Sequence, residues 1–138
     1  MNPILKNIIA VVVGWLGGGA VNYGLVELGH KLMPIAGLDY SDKEGFMEAF
    51  AAILPSLDAK YFLFPFLAHA LGTLVGALIA GLIAASSKMK IAMAVGAVFF
   101  VGGLAVNFLL PGKTWFTIVD LVFAYFPMAW IGGKVATR

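Results

Sequence analysis

Four stretches of this chain are almost free of charge. Ile8–Leu28, Tyr61–Ala85, Ile91–Leu110 and Trp115–Gly133 carry only two charged side chains between them, Glu27 and Asp120. Each comes close to the ~20 apolar residues a helix needs to cross a ~30 Å bilayer core. The other charges collect in the connections, Gly29–Lys60, Ser86–Lys90 and Pro111–Thr114, and at the two chain ends. Two connections that short oblige the helices they join to run antiparallel. The pattern therefore predicts an all-α fold: an integral membrane four-helix up-down bundle, one domain over residues 1–138, with spans at about 8–28, 61–85, 91–110 and 115–133.

The long first connection has a periodicity of its own. Phe46, Met47, Phe50, Ile53 and Leu54 form an apolar stripe at helical spacing, and Pro55 stops it. The preceding Ser41-Asp42-Lys43-Glu44 has the hydroxyl and carboxylate spacing of a capping box. A short amphipathic helix over about 42–54, lying in the membrane interface between spans one and two, is the expected element.

Composition agrees with a membrane solvent. The chain is 62% hydrophobic and 12% charged, with a mean hydropathy of +0.98, outside the range of ordinary soluble domains. Its nine cations are scattered and the net charge is only +2, so no basic stripe is available to follow a nucleic acid. Cysteine is absent, which removes thiolate chemistry and Cys-ligated metals. The N-terminal apolar run is longer than a signal-peptide core and lacks an A-x-A cleavage site, so it is expected to be retained as a span.

Lys and Arg in the short flanks set the orientation. With the N-terminus inside, Lys6, Lys88, Lys90, Lys134 and Arg138 face the cytoplasm, and Lys31, Lys43, Lys60 and Lys113 face out. Five against four favours cytoplasmic N- and C-termini in a bacterial inner membrane.

Two spans echo each other. Gly17–Leu25, GGGAVNYGL, recurs as GGLAVNFLL at Gly102–Leu110, 85 residues later. A duplicated helical hairpin would explain it; chance likeness between two Gly/Ala/Val-rich helices is the competing explanation. Both asparagines, Asn22 and Asn107, sit on rows of small residues: Ala10, Gly14, Gly18 and Asn22 on one helix, Gly96, Gly103 and Asn107 on another. His69, Gly72, Gly76 and Ala80 make a third row with a G-x-x-x-G in it. Such rows let membrane helices approach closely, so the polar side chains on them face neighbouring helices rather than lipid. Self-association along a glycine row is a further expectation.

The strongly polar groups also share a depth. At 1.5 Å per residue, His69 and Asp120 lie ~12 Å and ~8 Å in from the outer ends of their spans. Intramembrane ionisable residues are functional candidates by default, and Asp120 needs a partner, for which His69 is the nearest in depth. The expected pocket is lined by Asn22, His69, Asn107 and Asp120, with Glu27 and His30 at its mouth under the amphipathic helix. Interhelical hydrogen bonding is the preferred account of the asparagines, and a helix-end pair that of Glu27 and His30.

Glu27-Leu28-Gly29-His30 is also an E-x-x-H, whose side chains share a helix face as in di-metal carboxylate bundles. Adding His69 and Asp120 would give four N/O ligands for a divalent metal, the basis of an alternative reading as a metal-dependent membrane enzyme. No H-E-x-x-H, P-loop or G-x-S-x-G occurs, and no serine lies within a span. The leading expectation is a non-enzymatic membrane protein without a cofactor. Its partners would be lipid and either a second copy or another membrane subunit, and a small-solute or proton-linked carrier is one version of the role.

Several segments carry a resemblance that covers nearly the whole chain. They are ELGHKLMP (Glu27–Pro34), GLDYSD (Gly37–Asp42), LPS (Leu54–Ser56), FPFLAHALGTLVGALIA (Phe64–Ala80), LPGKTWF (Leu110–Phe116) and PMAWIGGK (Pro127–Lys134). In these the chain resembles a family of small, uncharacterised four-helix bacterial membrane proteins. The resemblance implies the four-span layout and a bacterial source, and no activity. The chain differs from small multidrug exporters, whose proton-coupling glutamate lies deep in span one, whereas Glu27 lies at the end of it.

Overall fold

A computed structural model describes residues 1–138 and contains helices only. In chain order these are α1 (Pro3–Leu32), α2 (Phe46–Ile53), α3 (Leu63–Ile83), α4 (Lys88–Leu109), α5 (Thr114–Phe123) and α6 (Phe126–Ala136), with 3-10 turns at Leu54–Ser56 and Ala59–Phe62. Four segments, Pro3–Leu32, Ala59–Ile83, Lys88–Leu109 and Thr114–Ala136, are long and apolar enough to cross a membrane.

Local chemistry explains where these helices start. Asn2 caps α1, its Oδ1 accepting from the Ile4 N–H at 2.8 Å, and Pro3 follows at the first helical position, where a missing N–H is harmless. Pro65 falls in the first turn of α3 and leaves the helix unbroken for the same reason.

The capping box expected at Ser41–Glu44 does not form. The Ser41 hydroxyl donates to Asp39 Oδ1 at 2.6 Å, and the N–H of Ser41 adds a second bond at 2.9 Å. Together they hold the Asp39 carboxyl below the usual carboxylate range. Asp42 takes over the role, its Oδ1 accepting from the Gly45 N–H at 3.0 Å, so the helix begins at Phe46 rather than near residue 42. An Asp side chain reaches a backbone N–H a turn ahead as readily as a serine does.

The fourth span is likewise not one helix. Its ladder breaks at Ala124–Tyr125, where Tyr125 takes φ −116° and ψ −80°. Pro127 is the cause. It has no N–H to offer Phe123, and its ring would strike that carbonyl.

Packing centres on α3. Asn7 meets Ala85, Gly14 meets Gly76, Gly18 meets Gly72, and Gly29 meets Phe64, so α1 and α3 run in opposite directions along one seam. A Cβ on Gly14 or Gly18 would fall against the backbone carbonyl of Gly76 or Gly72. The glycine rows of α1 and α3 are thus consumed within the chain. They are not free for a second copy, as self-association along them would need. On the other side, Gly132 of α6 lies against Leu74 and Leu78, and Gly96 of α4 against Ala129.

The interior is made of small side chains, chiefly Ala and Gly, while Trp15, Leu16, Val101, Phe108, Ile118 and Trp130 point outwards.

A clamp closes the end that holds both termini. Asn7 Oδ1 accepts from the N–H groups of Ala85 (2.9 Å) and Ser86 (3.4 Å), and its Nδ2 donates to Ser86 Oγ at 3.1 Å. Asn7→Ala should release the α3–α4 turn at a cost of about 1–2 kcal/mol. Hydrogen exchange is the check: the amides of Ala85 and Ser86 should exchange faster while those of mid-α3 stay protected.

Candidate functional site

Asp120 is fully buried, and its two oxygens meet three side chains, from α3, from α4 and from the break between α5 and α6. Nδ1 of His69 (α3) lies 2.8 Å from Oδ1. Oδ2 accepts from the Tyr125 hydroxyl at 3.0 Å and from Nδ2 of Asn107 (α4) at 3.4 Å. Asn107 is held in turn: Nδ2 also donates to the Gly103 carbonyl at 2.9 Å, and Oδ1 accepts from the Thr117 hydroxyl at 2.8 Å. A carboxylate without water costs several kcal/mol unless such donors surround it. Here three polar neighbours serve the two oxygens.

The helix break supplies one of those donors. Residues five apart on an unbroken helix project about 140° from each other, which would turn the Tyr125 hydroxyl away from Asp120. The interruption swings the Tyr125 ring back under α5, where it stacks on the His69 imidazole with ring centroids 5.8 Å apart. Gly103 leaves room for it, since a Cβ there would collide with the tyrosine ring.

Only the edge of this network is open. His69 has 17% of its side chain exposed, and with Asn107 it borders a cavity of about 210 Å³ beneath α2. The remaining wall is mostly apolar, with Phe46 and Phe50 of α2 and Phe116 of α5. No Lys, Arg, Asp or Glu lies on it. His30 borders the same cavity from α1, its ring packed on Tyr40 at 4.7 Å and near Phe46 at 6.1 Å.

The residues singled out from sequence are therefore distributed as follows. His69 pairs with Asp120, and His69 and Asn107 reach the cavity wall; Asp120 stands directly behind them. Asn22 packs on Gly72, makes no side-chain hydrogen bond and does not reach the cavity. Glu27 lies 3.7 Å from His30 Nδ1 in an adjoining open groove with Lys31 and Lys43, which shares His30 and Phe46 with the cavity. The four-ligand metal set does not assemble. Glu27–His30 and His69–Asp120 are two separate pairs, and nowhere do three His, Asp or Glu side chains gather as ligands. The reason is that His30 turns towards α2 and its aromatic rings rather than inwards to His69.

Tyr125 and Thr117 were not expected in the network. Thr117 precedes Asp120 by three residues on the same helix face, a spacing legible in sequence; the position of Tyr125 depends on the break. One turn further along α3 from His69, the hydroxyl of Thr73 is buried without a hydrogen-bond partner.

No family model, curated protein or solved structure matches this chain.

Proposed function

We propose that this chain is a four-span, up-down integral protein of a bacterial inner membrane that binds a small molecule in the pocket beneath α2. It acts as a non-enzymatic binding or accessory subunit, with both termini in the cytoplasm. The observation that carries the reading is the buried Asp120 hub, which fixes one edge of His69 and leaves the other towards a cavity of about 210 Å³. A fully satisfied buried network holds its members rigid, and a mostly apolar cavity with a few fixed polar groups is the usual form of a ligand site.

Two further features support the membrane reading. Away from the cluster of Leu54, Leu57, Phe62 and Phe116, most large apolar side chains face outwards and Ala and Gly face inwards, the reverse of a chain folded in water. The contacts of Asn7 with Ser86 and of Gly81 with Ala136 bring both termini and the α3–α4 turn to one end. That end holds five cations, Lys6, Lys88, Lys90, Lys134 and Arg138, against Lys31, Lys43, Lys60 and Lys113 at the other. This asymmetry favours the cation-rich end as the cytoplasmic one. A through-path carrier is less well supported, because Gly14, Gly18, Gly72, Gly76 and Ala80 close the half below the pocket.

The absence of native cysteine makes the test simple. In spheroplasts, His69→Cys should react with a small polar thiol reagent added outside, Ser86→Cys only after the membrane is opened, and Thr73→Cys scarcely at all. Folding is followed in parallel by thermal unfolding of the purified variants. Labelling of Ser86→Cys from outside would reverse the orientation, and a folded but inert His69→Cys would remove the pocket.

A further inference from the structure

We infer that the pocket takes a small, neutral lipophilic alcohol or phenol, whose O–H donates to Nε2 of His69 while its apolar body lies among Phe46, Phe50 and Phe116. The inference rests on the pocket reading above and adds the chemistry of its occupant.

The hydrogen-bond inventory of His69 decides the polarity of the contact. With Asp120 as the carboxylate that its three polar neighbours are arranged to serve, the hydrogen between Nδ1 and Oδ1 belongs to the imidazole. A neutral imidazole that donates through Nδ1 presents a bare lone pair at Nε2. No group of the chain donates to that atom, and Nδ1 faces the buried hub, so the opposite ring edge is the one at the cavity wall. Asn107 offers less, with one lone pair of its oxygen to spare. Both hydrogens of its Nδ2 are used within the network, and its Oδ1 already accepts from Thr117.

Charge and size narrow the class. The wall carries no cation to neutralise an acid, and the Asp120 carboxylate directly behind His69 repels an anion. A cation would meet His30 and His69 but no carboxylate on the wall. A neutral hydroxyl remains. An apolar cavity of ~150 Å³ admits benzene, so about 210 Å³ holds one ring or a short alkyl chain with its hydroxyl. Aromatic walls on two sides suit a ring.

Binding of 4-fluorophenol and of 4-fluorotoluene, a near-isostere without the O–H, can be compared by fluorine NMR on the purified full chain in micelles at matched micellar concentrations. A saturable shift absent from empty micelles marks binding. The phenol is expected to bind about tenfold more tightly, the ratio one hydrogen bond to a supported imidazole gives. His69→Asn should abolish that ratio, since its amide can still donate to Asp120 in place of Nδ1 but offers nothing at Nε2. His30→Asn should leave it intact. Equal binding of the two probes to the unaltered protein would overturn the hydroxyl assignment and leave the pocket standing. Saturable binding of neither would remove the pocket itself. A preference lost in His30→Asn and kept in His69→Asn would overturn the role of His69.

Discussion

Asp120→Ala is expected to destabilise the protein by about 3–5 kcal/mol, because three buried donors lose their acceptor at once, at about 1–3 kcal/mol each. The loss comes less from the missing carboxylate than from what it abandons. Nδ1 of His69, the Tyr125 hydroxyl and one hydrogen of Asn107 would all be stranded in an interior without water. Asp120→Asn should recover most of the stability. Its amide oxygen can still accept from Tyr125 and Asn107, and its NH₂ can donate to an imidazole that has moved its own hydrogen to Nε2. Chemical unfolding in micelles measures the series directly. If Asp120→Ala unfolds like the unaltered protein, the hub is not what organises α3, α4 and the fourth span.

Gly18→Val is expected to be comparably damaging for a different reason. A side chain there meets the Gly72 carbonyl and the Phe99 ring, and backbone cannot step aside as a flexible side chain does. The cost should be at least the ~1–3 kcal/mol of an overpacked core, because α1 must lift away from α3 along the whole seam. Gly19→Ala and Gly24→Ala are the controls, with nothing within 4 Å of the added carbon, and they should be neutral or slightly stabilising through helix propensity. Thermal unfolding of the three variants separates the seam from general intolerance of substitution. Equal effects at Gly18 and Gly19 would mean that α1 and α3 do not touch as described.

The elements were legible where one principle acted alone. Four apolar runs of sufficient length announce four helical segments, three of them single helices, and the stripe at Phe46–Leu54 announces α2. The partnership of His69 with Asp120 follows from depth and from the difficulty of burying a carboxylate alone. Legibility failed where two local options competed. Ser41 could serve a helix or the Asp39 turn, and the turn took it. Pro127 could bend its span or break it, and the break decided where Tyr125 points. Asn22 and Asn107 look alike in sequence, yet only Asn107 faces a span carrying Thr117 and Asp120. Side-chain direction within a bundle depends on which neighbour lies opposite, and spacing along a single helix does not contain that information.

The length of α1 has a consequence for where the pocket opens. Thirty residues rise ~45 Å, half as much again as the ~30 Å hydrocarbon layer. Tilt alone would have to reach ~48° to hide that excess, beyond the usual range for membrane helices. On the membrane reading the helix therefore stands proud of the oil, and its last turns, with Glu27, His30 and Lys31, rise among glycerol and phosphate groups. The doorway under α2 then opens at the glycerol level, the stratum where amphiphilic solutes dissolved in a bilayer accumulate with their hydroxyls towards water. A guest of that kind can enter sideways from the leaflet, already oriented, as well as from the aqueous phase.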